Sequence, residues 1–251
     1  MKIGIVILAT NAYFALGVRF MKKFMQHYQG DAEIKFFFFS DENPKDSVQD
    51  SMNVVYKQDS HICWSDGTNS KFKNIISLEP ELDVDYLYYF DADTNVNRPF
   101  NENWFIGDMV GGEHFGNRGF LKDGRGMDKN INSRAYVPPD HPPYTYYYGA
   151  FFGGKTQNML NFCKVLRDNQ IADKAIGYEP GVNDESYIQQ FFHFNPPTLT
   201  VTIENFAFNI SDKGGLGETR HTSLDISDIK TGLRQYKNDN IELAGGKLIK
   251  V

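Results

Sequence analysis

Cysteine is scarce in this chain of 251 residues: Cys63 and Cys163 are the only two. They lie far apart and match no metal or redox spacing, so neither a cysteine zinc site nor a disulfide-stapled scaffold is expected. Two reduced thiols of the cytosolic type are the favoured reading, with a single disulfide as the alternative. Basic charge is also short, with 26 Lys and Arg against 32 Asp and Glu and a net charge of −6. Without a basic block the chain lacks what nucleic-acid phosphates would demand. No apolar run approaches the roughly 18 residues needed to cross a bilayer. Met1-Lys2 followed by Ile3 to Ala9 has the look of a short signal peptide, and Ala15-Leu16-Gly17 has a cleavage-like spacing. Asn11 interrupts that brief run, so it reads as the first core strand, and the expectation is a soluble, cytoplasmic protein. Internal repeats and low-complexity linkers are missing too, and one domain long enough to bury a large core is expected over 1–251.

Aromatic residues, by contrast, are abundant, with 21 Phe and 14 Tyr. They serve either a thick core or a groove in which sugar faces stack on rings. The patterning is of the α/β class. Ile3 to Ala9 reads as a strand, with Thr10-Asn11 capping a helix whose apolar positions are Phe14, Val18, Met21 and Met25. Strands follow at Glu33 to Phe39 and Asn53 to Tyr56, and a helix at Asn69 to Leu78. Asp108 to His114 and Tyr144 to Phe152 are further strands, the second running into Gly153-Gly154, and Thr156 to Arg167 is an amphipathic helix. Gly116 to Asn132 is a long loop of the kind that is usually functional or mobile, and Pro138 to Pro143 is a rigid turn. After a connector from Asp173 to Pro180, a helix opens at Asn183-Asp184-Glu185-Ser186 and runs to about Phe192, and Leu199 to Ile203 is a last strand. Residues 211–251 show little periodicity and read as a mobile lid or poorly packed terminus.

The chain is organised around Val84 to Asp93. Tyr86 to Phe90 is an unbroken aromatic and aliphatic run, as in a strand buried on both faces of a parallel sheet, and it stops on Asp91-Ala92-Asp93. Ligands of open α/β sheets sit at the carboxyl ends of strands. Residues two apart on a strand share a face, so Asp91 and Asp93 could reach one hard cation, which in turn could hold a diphosphate. An acidic turn after a core strand is the plainer alternative. Asn183-Asp184-Glu185 likewise has two readings, a capped helix start with acids at the positive end of the dipole or a pair of site carboxylates.

Three features in order resemble glycosyltransferase family 6, which includes the blood-group A and B transferases and the α1,3-galactosyltransferases. They are Val84-Asp85-Tyr86-Leu87 ahead of Asp91-Ala92-Asp93, then Tyr147-Tyr148-Gly149-Ala150-Phe151-Phe152-Gly153-Gly154, then Asn183-Asp184-Glu185-Ser186. The resemblance runs from the first strand to about Asn209 and is closest to the short soluble microbial or viral members. It implies a GT-A fold: a single Rossmann-like nucleotide-sugar domain with a mixed, mainly parallel sheet. It also implies a retaining transfer of galactose or N-acetylgalactosamine from a UDP-sugar, in α1,3 linkage, to a β-galactoside glycan acceptor.

By the same resemblance Asp91 and Asp93 would hold Mn2+ or another divalent metal bridging the two phosphates. Some bacterial members carry Asn-x-Asn and work without metal. Asn95-Val96-Asn97 follows closely here, but anchoring on Val84 to Leu87 puts Asp91-Ala92-Asp93 in the motif position. Glu185 would be the catalytic glutamate under the anomeric carbon, acting as a nucleophile or as a stabiliser of an oxocarbenium-like state. Asp184 would hold donor hydroxyls. Leu8, Ala9, Thr10 and Tyr13 would bind uridine, with Tyr13 stacked on uracil or, in the plainer reading, a core aromatic. Lys71 stands where the family usually has an arginine touching the donor sugar. Tyr148, Gly149 and Ala150 match the donor-selecting segment, and Ala150 leans towards galactose. His114 and Val182 would lie by the acceptor, Val182 replacing a family tryptophan and Asn183 a family histidine. In the basic tail that would close over the diphosphate, Lys230 and Arg234 compete with Lys213 and Arg220. A catalytically weak UDP-sugar or glycan-binding protein on the same fold is the alternative. A haloacid-dehalogenase-like phosphatase fits poorly, because Asn95 stands where that family expects Thr or Val, and the motif lies mid-chain.

Overall fold

The computed structural model describes residues 1–61, 64–96, 98–114, 126–139, 145–201 and 208–209. In chain order the elements are β1 (Lys2–Leu8), α1 (Phe14–His27), β2 (Glu33–Ser40), β3 (Asn53–Gln58), α2 (Trp64–Ser77), β4 (Tyr86–Asp91) and β5 (Asn95–Val96). They continue with β6 (Met109–Glu113), β7 (Tyr147–Lys155), α3 (Thr156–Ala175), α4 (Asn183–Phe194), β8 (Leu199–Val201) and β9 (Phe208–Asn209). Seven strands form one sheet in the order β3-β2-β1-β4-β7-β6-β8. The pairs from β3 to β4, and β6 with β8, are parallel. β7 runs antiparallel to both β4 and β6. This is the mixed, mainly parallel α/β sheet that was expected, and residues 2–8, which have the look of a leader, are one of its inner strands.

Period-two alternation sorts the strand side chains onto two faces. Ile3, Ile5, Ile7, Phe36, Phe38, Tyr88 and Phe90 pack with Phe20, Met21 and Phe24 of α1. Val6, Phe37, Phe39, Leu87 and Tyr89 face the other way, onto Phe72 of α2, Phe162 of α3 and Ile188 and Phe192 of α4. Most of the aromatic excess therefore fills core layers above and below the sheet. Tyr88, Phe90, Phe105 and Phe151 meet as edge-on, tilted and stacked rings, arrangements that ring quadrupoles favour. Of the predicted helix positions, Val18 and Met21 are buried, whereas Met25 is exposed. Thr10 makes no side-chain cap to the short 3-10 turn that precedes α1. Among the described residues no helix is long and apolar enough to cross a membrane.

Four expectations need correction. β4 is not flanked by parallel strands on both sides, since β7 enters antiparallel. β7 starts at Tyr147 rather than Tyr144 and continues through Gly153-Gly154 to Lys155, with Tyr88 registered on Gly153 and Leu87 on Gly154. A side chain at Gly153 would lie 2.3 Å from the Tyr88 ring, and one at Gly154 would lie 2.3 Å from the Asp108 carbonyl oxygen. The glycines are strand residues that make room for a crowded neighbour. Gly154 also sits at φ +153°. Gly154→Ala is therefore expected to cost about 1–3 kcal/mol, read as a lower urea midpoint at unchanged slope; an unmoved midpoint would show that the crowding relaxes freely.

Third, α3 does not end near Arg167 but continues to Ala175. Its apolar period fades after Leu166, but Asp173 is fully buried and tethers the last turn. The Asp173 carboxylate accepts hydrogen bonds from Ser133 Oγ at 2.7 Å, the Arg134 N–H at 2.8 Å and the Tyr187 hydroxyl at 3.1 Å. Fourth, the last clear strand is shorter than Leu199 to Ile203, ending at Val201, and 202–203 lie outside the described residues. Cys163 is a buried free thiol, as expected, while Cys63 lies outside the described residues. So do residues 116–125 of the long loop, most of the Pro138 to Pro143 turn, and the tail from 210 onward.

Candidate active site

The carboxyl ends of β1 and β4 lie side by side, with Leu8 registered on Asp91. Leu8 and Tyr13 are half-buried, Tyr13 packing partly against the α1-side core, and Ala9 and Thr10 are buried. This edge is fixed by hydrogen bonds from neighbouring strand ends: Ser40 Oγ donates to the Ala9 carbonyl at 2.7 Å, and the Asn11 N–H donates to Asp41 Oδ1 at 2.7 Å. Asn11 takes a left-handed φ of 54°, which asparagine tolerates better than most residues.

Asp91 is the last residue of β4 and its side chain is 34% exposed. Two residues earlier on the same face, Tyr89 donates its hydroxyl to Asp91 Oδ1 at 2.7 Å. Asp93 does not share a strand face with Asp91, because the strand ends at Asp91 and Asp93 lies in the following turn, buried. Burial depresses the charge on Arg19 of α1, and Asp93 is the group that supports it. Asn95 and Val96 pair with β9 in a separate two-stranded ribbon, and Asn97 lies outside the described residues.

Lys71 joins the two halves of the site. It sits on α2 at 3% exposure, and Nζ donates to Asp184 Oδ2 at 2.6 Å and to the Gly149 carbonyl at 2.9 Å. It also lies 3.6 Å from Asp91 Oδ1 and 4.4 Å from the centroid of the Tyr89 ring. Burial opposes the charge, but the carboxylates of Asp184 and Asp91 outweigh it and hold the ammonium above its usual range. Two of its three donor directions are thus spent on the protein, on Asp184 and the Gly149 carbonyl.

Glu185 lies beside this pair in the first turn of α4, half-buried. Its Oε1 accepts the Gly149 N–H at 2.7 Å and its Oε2 accepts the Tyr146 hydroxyl at 3.0 Å. Burial pushes the Glu185 carboxyl up to about 7, the charge of Asp184 adding to the effect and the Gly149, Tyr146 and Lys71 contacts opposing it. A Cβ at Gly149 would lie 3.2 Å from Glu185 Oε1 and 3.3 Å from Asp184 Oδ2, a tight fit against both acids. Asn183 is not the capping residue. It is the first residue of the helix, buried at φ 43°, and the preceding Val182, 42% exposed, makes no side-chain cap. Ala150 is buried in β7. His114 is buried at the end of β6, stacked on Tyr148 at 4.3 Å and edge-on to Tyr146 at 5.5 Å, and its N–H donates to the Tyr146 carbonyl at 2.7 Å.

Of the residues singled out from sequence, Lys71, Asp91, Gly149, Asp184 and Glu185 form one connected cluster. Tyr148 and His114 form a second that meets it through Tyr146. Two features escaped the sequence reading. One is Tyr146, hidden in an aromatic run. The other is His61, whose Nε2 lies 2.9 Å from Asp59 Oδ2 and 2.8 Å from Ser70 Oγ, and whose Nδ1 lies 3.2 Å from Thr10 Oγ1. Ser70 Oγ already donates to the Gly67 carbonyl, so the network assigns the proton to Nε2 and leaves Nδ1 to accept from Thr10. No spacing in the sequence announces this contact between β1 and the start of α2.

Comparison with known proteins identifies the family. The family model for glycosyltransferase family 6 matches residues 1–210. The chain is 26% identical over 214 residues to globoside alpha-1,3-N-acetylgalactosaminyltransferase 1 of Gallus gallus, covering 81% of this chain and 61% of that protein. It is 24% identical over 210 residues to histo-blood group ABO system transferase 2 of Rattus norvegicus, covering 80% and 62%. It is 23% identical over 203 residues to the O-antigen biosynthesis glycosyltransferase WbnI of Escherichia coli, covering 79% and 85%. The chain thus spans about three-fifths of the length of these animal relatives and more of the bacterial one. With its mixed sheet, its central strand ending at Asp91 and its paired acids at the start of α4, the chain belongs to glycosyltransferase family 6 and has the GT-A-like domain of that family.

Proposed function

We propose that the protein is a retaining hexosyltransferase moving galactose or N-acetylgalactosamine from a UDP-sugar, in α1,3 linkage, to a β-galactoside. The observation that supports this best is Glu185, reachable from solvent yet held by two hydrogen bonds next to the Lys71, Asp184 and Asp91 cluster at the carboxyl edge of the sheet. A carboxylate in that place can meet positive charge developing at an anomeric carbon, either as a nucleophile or by electrostatic stabilisation. Leu8, Ala9, Thr10 and Tyr13 form the nucleoside side of this reading, Asp184 and Gly149 to Ala150 the donor-sugar side, and His114 and Val182 the acceptor side.

Asp91 and Asp93 fit a divalent metal as hard oxygen donors on one short turn. Among the described residues no group of three or more metal-ligating side chains exists, so diphosphate oxygens and water would complete the shell, as is usual for such ions at phosphates. The metal, Mn2+ or a related ion, would supply Lewis-acid stabilisation of the departing diphosphate. Lys71 keeps Asp91 oriented and partly neutralised from the protein side.

The test is UDP release from UDP-galactose and UDP-N-acetylgalactosamine, each with manganese or with EDTA, with lactose and 2′-fucosyllactose as acceptors. Acceptor-stimulated release is expected. Chelation and Asp93→Asn should each cut it by about a hundredfold, the size of several kcal/mol of leaving-group stabilisation. Release indifferent to chelator would remove the metal from the reading. Tight UDP binding without release for every pair would favour a sugar-nucleotide-binding protein instead.

A further inference from the structure

Tyr146 stands one residue ahead of β7 at 1% exposure. Its hydroxyl is held on Glu185 Oε2 while Gly149, three residues on, holds Oε1. The ring is held independently of these contacts. It packs with Met127 and Val137 in a small apolar cluster, and Gly126, at φ +87°, comes so close that a Cβ there would lie 2.9 Å from the ring. The segment bearing those residues is closed by a bridge between Asp128 and Tyr136 and by the Val137 N–H donating to the Asp128 carbonyl at 3.0 Å. It is anchored from outside by the Tyr178 hydroxyl on Asp128 at 2.7 Å and by the Asp173 carboxylate, which accepts from Ser133 and Arg134. Asp173 also accepts from Tyr187 of α4, the helix that carries Glu185.

We propose that Tyr146 is a positioning residue for Glu185, which fixes the plane and the ionised state of its carboxylate and is itself held in place by the 126–139 segment. The proposal rests on the reading of Glu185 as the group at the anomeric carbon. Two donors on opposite oxygens remove the rotation that a half-exposed glutamate would otherwise retain, so the carboxylate meets the reacting carbon without reordering. The same donors stabilise the anion. Around Glu185 stand Asp184 of its own helix, which disfavours its charge, Lys71 of α2, which favours it, and the Gly149 N–H of β7 and the Tyr146 hydroxyl, which favour it. His114, which follows β6, lies edge-on to the Tyr146 ring at 5.5 Å. Burial leaves the carboxyl poised at about 7, where loss of one donor would shift its ionisation at working pH.

The experiment compares Tyr146→Phe, which keeps the ring and removes only the hydroxyl, with the full wild-type chain over pH 5 to 9 at saturating donor and acceptor. Expected are a loss of about tenfold in kcat near pH 7 and an upward move of the acid limb by roughly one pH unit, the size of one hydrogen bond to a charged group. UDP affinity should stay within about twofold, since the hydroxyl lies on the carboxylate. A lowered kcat with an unmoved acid limb would leave Tyr146 a packing residue and overturn the proposal, as would an unchanged kcat. Should Tyr146→Phe fail to fold, Met127→Ala loosens the ring with its hydroxyl retained: a limb moved the same way supports the proposal, and an unmoved one overturns it. Glu185→Gln separates the two levels. If that variant still transfers, the reading of Glu185 itself falls; if it is inactive while the Tyr146→Phe limb is unmoved, only the role of Tyr146 falls.

Discussion

Glu185→Gln is expected to lower kcat for sugar transfer by at least about 10³-fold, within the range that positioned acid, base and nucleophilic groups supply, while the affinity for UDP stays within about twofold. The amide is nearly isosteric and its oxygen can still accept from the Gly149 N–H, which now reaches Glu185 Oε1 at 2.7 Å. The negative charge is what is lost, and with it the attraction for a carbon that gains positive charge as the diphosphate departs. UDP binding should survive because the proposed nucleoside edge is built from other elements: β1, the Ser40-Asp41 turn and the Asp59, His61 and Ser70 contacts. Single-turnover assays with isothermal titration of UDP separate the two effects. Turnover at the wild-type level would take Glu185 out of the chemistry, and a parallel loss of UDP affinity would point to a collapsed site.

Lys71→Met should be the most damaging single change to the folded state within the site. The ammonium is buried between the Asp184 carboxylate, the Gly149 carbonyl, Asp91 and the Tyr89 ring. Removing one member of a buried pair strands the other charge, at a cost of about 3–5 kcal/mol. For a chain of this length that lowers Tm on the order of 10 °C. Transfer should be lost as well, because Lys71 sets the position of Asp184 and of Gly149, whose N–H holds the Glu185 carboxylate. Adding Asp184→Asn removes the stranded charge, so the double variant should melt above Lys71→Met alone, a coupling that a double-mutant cycle reads directly. If Lys71→Met melted within a degree or two of wild type, the pair would have to be solvated, contrary to its burial.

Several structural details expected from the sequence turned out differently in the fold. Asn183 has the composition of a helix cap, and only its φ of 43° inside the first turn shows that it does something else. Asp91 and Asp93 looked like two residues on one strand face, but the strand ends at the first of them. The aromatic excess could have lined a sugar groove, and instead most of it fills the two core layers.

By itself the sequence determined the class of fold and the places of most strands, because alternation and unbroken apolar runs are local and each strand carries its own. It also determined the family, through three short motifs in order, and with them the candidate acids Asp91, Asp184 and Glu185. Only the tertiary structure decided the antiparallel entry of β7, the full length of α3 and the partners of Lys71 and Glu185. Those partners lie far off in the chain: Lys71 meets Asp184 across 113 residues and Tyr146 meets Glu185 across 39. No local period encodes such a meeting. It follows from sheet order, from glycines that let backbones close on one another, and from the cost of burying a charge or a hydroxyl without a partner.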